Sequence, residues 1–193
     1  SRQTLEALRQ PLETGTVSVA RANSHISYPA RFQLIAAMNP CRCGYLGVPG
    51  RSCSRAPKCA EEYQAKISGP MLDRIDLQIE VPLLSPWTLG SLGPAERSAI
   101  ILERVKKARA FQARRQKRLN GEIDGTELEQ TACLTEEARK HLIQMAEKSQ
   151  LSGRGFHRMI RVARTLADMS FSENILPEHV TEAFAFRRPE RKE

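Results

Sequence analysis

Phe32-Gln33-Leu34-Ile35-Ala36-Ala37-Met38 is a near-continuous apolar run that ends on Asn39-Pro40. A run of that kind marks a strand buried on both faces of a parallel sheet. Upstream, residues 16–20 and 24–28 alternate as two short strands around Arg21-Ala22-Asn23, the pattern of a hairpin. Downstream lie a cysteine-rich loop over 41–59, a second alternating strand over 76–81, and a Pro/Gly/Ser-rich connector over 82–94. At the start, Ser1 is a suitable helix N-cap and Leu5, Leu8 and Leu12 share one face. The sequence opens without Met on a helix already under way, so it reads as a fragment cut from something longer.

Past the connector the period becomes helical. Residues 95–119 form a long predicted helix with Ile101, Val105 and Ala108 inward, and 120–125 break it. Thr135 caps a helix running to about residue 150, and Ser152-Gly153 precede a helix over 155–168 with Phe156, Ile160, Ala163 and Ala167 on one face. Pro177 opens a last helix carrying Val180, Ala183 and Phe184. The expected organisation is therefore α/β over 1–94 and all-α over 95–193.

Composition narrows the function classes. Hydrophobic content of 40% and charged content of 27% suit a soluble globular protein, and no apolar run approaches a bilayer span. The expected location is the cytoplasm, with no membrane partner. Thirty Lys plus Arg against 22 Asp plus Glu leave a net charge of +8, which suits a polyanionic partner such as DNA. Basic residues crowd 104–118: Arg104, Lys106, Lys107, Arg109, Arg114, Arg115, Lys117 and Arg118. That stretch reads equally as a solvated helix face or as a phosphate-contacting one. Cys41, Cys43, Cys53 and Cys59 offer four soft ligands within one loop, a set suited to structural Zn2+, although four reduced thiols are the alternative. Cys133 stands apart as a plain thiol, and the four histidines form no ligand or triad pattern.

Three positions could carry phosphate chemistry. Asn39 follows a buried strand, where open α/β sheets bind ligands, but an Asn before Pro also simply makes turns. Arg74, in Leu72-Asp73-Arg74-Ile75-Asp76, is either an ion-pair partner of its acidic neighbours or a stabiliser of a transferring phosphoryl group. Arg154, Arg158 and Arg161 share one helix face, and spacing does not choose among them.

Taken together these pieces carry a resemblance. Gly15-Thr-Val-Ser-Val-Ala-Arg-Ala, Tyr28-Pro-Ala-Arg-Phe, Ala36-Ala-Met-Asn-Pro-Cys-Arg-Cys-Gly, Ile67-Ser-Gly-Pro-Met-Leu-Asp-Arg-Ile-Asp-Leu and Ser152-Gly-Arg-Gly-Phe-His-Arg-Met-Ile-Arg, in that order, resemble the ComM-type members of the magnesium-chelatase group of AAA+ ATPases. The resemblance implies the C-terminal part of an AAA+ α/β core over 1–94, with the last strands of a parallel sheet, a β-hairpin and the cysteine loop. A helical connector and an α-helical lid follow over 95–193. It makes Asn39 sensor 1, Arg74 the arginine finger and Arg154 sensor 2, with Arg158 beside it at the nucleotide. By analogy with related helicases, Arg21 and Asn23 of the hairpin become DNA contacts alongside Lys106, Lys107, Arg114 and Arg115. The implied parent is a ring-shaped homo-oligomer, a hexamer, that uses ATP and Mg2+ for DNA helicase or branch-migration work. The alternatives are a metal-chelatase motor subunit and a non-catalytic DNA-binding or assembly module. One departure stands out: no Gly-x-x-x-x-Gly-Lys-Ser/Thr occurs in the sequence, nor an acidic Walker B strand before the first helix. The resemblance places both upstream, so the parent is expected to hydrolyse ATP and this chain alone is not.

Overall fold

The structure, a computed structural model, describes residues 2–21, 24–48, 50–51 and 53–187. The chain divides into two compact units, Ser1–Ile75 and Asp76–Glu193.

In the first unit, α1 (Arg2–Ala7) and α2 (Arg9–Thr14) are one helical path interrupted near Leu8. Pro11 has no N–H to return to the Ala7 carbonyl, which explains the interruption. Ser1, the expected cap, lies outside the described residues. Gly15 ends α2 in the left-handed region at φ 67°, and a Cβ there would lie 2.7 Å from the Arg31 Cγ, so only glycine fits. Its carbonyl accepts from the Ala30 N–H at 2.7 Å and closes the base of the hairpin. That hairpin is β1 (Thr16–Arg21) against β2 (Ser24–Pro29), antiparallel, with Val17 opposite Tyr28 and Val19 opposite Ile26. Two short helices follow, α3 (Lys58–Gln64) and α4 (Gly69–Leu72).

Two expected strands are not formed. Residues 31–39 join no ladder among the described residues, and Ile35 is 85% exposed rather than buried on both faces. Residues 76–81 make one backbone bond, from the Gln78 N–H to the Phe186 carbonyl at 2.6 Å, while Val81 is 84% exposed. An extended segment becomes a strand only when a neighbour takes its N–H and C=O groups in a ladder, and the described residues form no ladder with either segment.

The second unit contains α5 (Pro86–Ser91), capped by Ser85 inside the expected connector, and α6 (Ser98–Arg115). A 3-10 turn (Asn120–Glu122) leads to α7 (Gly125–Ala132), α8 (Glu136–Lys148), α9 (Gly153–Met169) and α10 (Pro177–Ala185). The Thr135 hydroxyl accepts from the Ala138 N–H at 3.2 Å, and Ser152 does the same for Gly155 at 3.1 Å. Both are N-caps satisfying otherwise orphaned donors. The long helix ends before 120–125 as expected, and α7, a helix the sequence reading did not assign, starts where the Asp124 carboxylate accepts from the Gly125 N–H.

The core of this unit gathers Ile123, Leu128 and Ala132 with Leu142, Met159, Ile160, Ala163, Ala167, Ile175, Val180, Ala183 and Phe184. The inward face of α6 continues along the expected spacing to Gln112 and Arg115, but Ile101 and Val105 near its start are exposed. At its far end a polar hub replaces apolar packing. Asp168 is 2% exposed and receives Arg115 at 2.7 and 2.9 Å, Arg164 at 3.1 Å and the Asn120 amide at 2.8 Å. Burial pushes the Arg164 guanidinium below its ordinary pKa, with Asp168 opposing that shift.

Removing one partner of a buried pair strands the others, so Asp168→Ala is expected to cost about 3–5 kcal/mol. Urea unfolding followed by circular dichroism measures this. A loss under about 1 kcal/mol, the size of an exposed pair, would show that the hub is not what holds α6 to α9.

Candidate functional site

Asn39 lies exposed at the end of the 31–39 segment, so its amide is presented rather than used as a buried turn former. Arg74 follows α4 and is buried, donating to the Pro70 carbonyl at 2.6 Å and pairing closely with Glu13 of α2. Glu13, 61 positions away, was not legible as a partner. Asp76 instead pairs with Arg158 at 2.7 Å.

The first turns of α9 sort the three arginines. Arg158 is buried against Asp76. Arg161 pairs with Asp124 at 2.9 Å and donates to the Ile123 carbonyl at 2.8 Å, fastening the segment before α7. Arg154, in the first turn, is the exposed one. Beside it Gly155 is buried, and a Cβ there would touch the Arg187 guanidinium at 3.4 Å. Partial burial pushes Asp124 up, but the Gly125 N–H, Arg161 and His157 outweigh it, and its carboxyl stays below the usual range.

The basic stretch does not act as a unit. Lys106, Lys107 and Arg114 are exposed on α6, with Lys106 near Glu103 at 2.8 Å. Arg115, expected on the same wet face, is instead bidentate to Asp168. Arg21 is exposed at the end of β1, and Asn23 lies outside the described residues.

The cysteine loop gathers its sulfurs. Cys41 is buried, and the Sγ atoms of Cys41, Cys43 and Cys59 all lie within 4.8 Å of one another. Cys41 and Cys43 approach to 3.1 Å, and Cys53 and Cys59 to 3.0 Å. The hydrogen bond from Cys59 holds the Cys53 thiol below its ordinary pKa. That same bond, with burial and the neighbouring thiols, pushes Cys59 up to about 12. Cys133 stands apart, in the left-handed region at φ 53°, capping α7. His179, buried, has Nδ1 accepting from the Leu176 N–H at 3.0 Å and Nε2 against Ser170 at 2.9 Å, a structural role.

With this geometry in view, comparison with known proteins gives the class. The family model for magnesium chelatase, subunit ChlI, matches residues 1–89, and that for the ChlI C-terminal region matches 95–187. The chain belongs to this magnesium-chelatase-like family. It is 41% identical to competence protein ComM of Haemophilus influenzae over 188 residues, 96% of this chain and 36% of that protein. It is 40% identical to the uncharacterized protein YifB of Escherichia coli over 191 residues, 98% of this chain and 37% of that one. An uncharacterized protein of Mycobacterium tuberculosis is 36% identical over 188 residues, 95% of this chain and 37% of that protein. The chain thus spans little more than a third of the length of these relatives.

The family resemblance implies ATP and Mg2+. The residues present do not fit an ATP–Mg2+ site by themselves. The chain has no phosphate-cradling glycine loop with its lysine and hydroxyl ligand, and its candidates offer guanidinium groups, which do not ligate Mg2+, and a single amide oxygen. Among the described residues no helix is long and apolar enough to cross a membrane.

Because Asp124 owes part of its lowered pKa to Arg161, it should titrate below the ordinary aspartate value. The Arg161 contact then contributes stability at higher pH and is lost as pH falls through that lowered value. Carboxyl NMR titration should show the Asp124 midpoint rising in Arg161→Ala; an unmoved midpoint contradicts the pairing.

Proposed function

We propose that this chain is the C-terminal part of a ring-forming AAA+ ATPase, a homo-oligomer and by analogy a hexamer, that acts on DNA in helicase or branch-migration work. On this reading Asn39 is sensor 1, Arg74 the arginine finger and Arg154 sensor 2, all acting on nucleotide bound by other parts of the full-length protein. The observation that supports the Arg154 assignment is burial: Arg154 is exposed in the first turn of α9, whereas Arg158 is buried. Arg158, within the same face, then steadies the sensor rather than reading phosphate itself.

The segments 31–39 and 76–81 fit the last strands of a parallel sheet whose neighbours belong to the remainder of the longer protein. Their exposed apolar side chains, and the share of the relatives' length that the chain spans, support this. Arg74 acts on a neighbouring subunit only if it leaves Glu13, so the carboxylate and an incoming phosphate compete for one guanidinium. DNA contact falls to Arg21, Asn23, Lys106, Lys107 and Arg114, and Arg115 leaves that set because Asp168 holds it. The second reading, a chelatase motor subunit acting with a protein partner, rests on the name that both family models carry.

In the full-length protein, Arg74→Ala is expected to lower ATP hydrolysis by about a thousandfold or more while nucleotide binding persists. Arg154→Ala should also impair hydrolysis. Steady-state turnover beside a fluorescent-nucleotide binding assay measures both. Normal turnover in Arg74→Ala removes the finger assignment, and damage from Arg158→Ala with Arg154→Ala silent moves the sensor one turn along α9.

A further inference from the structure

Between Pro40 and α3 the chain has almost no apolar core: within 41–59 only Cys41 is buried among the described residues. Something other than hydrophobic burial must hold it. What the loop does have is two tight turns that each begin on a cysteine. The Gly44 N–H returns to the Cys41 carbonyl at 3.1 Å, with Gly44 at φ 81°, and the Ala56 N–H returns to the Cys53 carbonyl at 3.0 Å. The first turn sets Cys43 beside Cys41, and the second leads through 57–58 to Cys59 at the start of α3.

We propose that Cys41, Cys43, Cys53 and Cys59 bind one Zn2+ as a closed tetrathiolate, and that this ion fixes the Asn39 end of the 31–39 segment to the helix that leads on to Arg74. With Zn–S bonds of about 2.3 Å, the sulfurs of a tetrahedral site stand about 3.8 Å apart. Cys41 and Cys43 stand 3.1 Å apart, and with Cys59 they lie within 4.8 Å of one another, around that edge; Cys53 touches Cys59 at 3.0 Å but stands outside this mutually close set, so it must swing inward to complete the site.

The donor set decides the metal class. Four soft sulfurs disfavour Mg2+ and Ca2+, which take oxygen, and favour Zn2+. Four protein ligands leave no open position, so the ion is structural and not catalytic. Binding releases the thiol protons, and the Zn2+ charge offsets two of the four thiolate charges, leaving a centre of formal charge −2. The loop's frame is already tied to its surroundings by the Gln64 amide, which donates to the Pro40 carbonyl at 2.6 Å. Pro40 adjoins Asn39, and α3 precedes α4 and Arg74, so the ion lies between the two residues assigned to nucleotide response. This second half of the proposal rests on the motor reading above; the metal site does not.

Elemental analysis of the full-length protein, purified without added metal or chelator, tests the site directly. The expected result is about one zinc per chain, lost in Cys43→Ser and in Cys53→Ser and kept in Cys133→Ser. Because the two loop variants could fail to fold, the wild-type protein supplies a second measurement. A mercurial reagent should release zinc in step with four thiols, and exchange into Co2+ should give the absorption of a tetrahedral cobalt thiolate. Native protein without metal and with all five thiols open to alkylation would overturn the proposal. So would an intact mass showing two disulfides within the loop. If zinc is present but its removal leaves ATP hydrolysis unchanged in a protein sensitive to Arg74→Ala, the fixing role is overturned. Zinc present with Arg74→Ala fully active would sink the motor reading and leave the metal site standing.

Discussion

Two guanidinium groups, from Arg115 and Arg164, converge on the Asp168 carboxylate, and the Asn120 amide completes its shell. Charges taken out of water this fully must be paired, and the pairing fixes geometry as well as energy. Arg115 belongs to the last turn of α6, Asn120 to the 3-10 turn, and Arg164 reaches the Ala132 and Glu173 carbonyls at 3.1 and 2.8 Å. One carboxylate on α9 therefore decides where α6, the 3-10 turn and the end of α7 sit. The exposed first turn of α9, with Arg154, is the other end of the same rigid helix. Its position depends on that hub.

The first unit is built by different means. Its described buried residues are few: Pro11, Cys41, Ala60, Met71 and Arg74. A polar latch, Glu13 with Arg74, and a clustered set of thiols take the place of a broad apolar core. The apolar side chains of 31–39 face outward because their backbone finds no ladder, not because the sequence lacks strand character.

The helical half was legible wherever local chemistry decides structure. Thr135 and Ser152 cap as serine and threonine do, Pro177 opens α10, and Ile160, Ala163 and Ala167 are buried at their expected spacing. What escaped was non-local. A buried Asp168 paired across 53 positions leaves no periodic trace, so Arg115 read as one more surface cation. Glu13 with Arg74 and Asp76 with Arg158 were hidden for the same reason. The strands at 32–38 and 76–81 were misread as formed because alternation reports what a segment suits, while a ladder needs a second segment. Among the arginines at the start of α9, Arg158 and Arg161 could be placed only once their acidic partners, Asp76 and Asp124, were seen.

On the proposed reading the chain serves an ATP-driven motor working on DNA. The deciding measurement is ATP hydrolysis by the full-length protein, with and without branched DNA. The expected result is hydrolysis that DNA strongly stimulates. Hydrolysis indifferent to DNA would contradict the DNA-acting role and favour a chelatase-like motor, and the absence of any hydrolysis would contradict the motor itself.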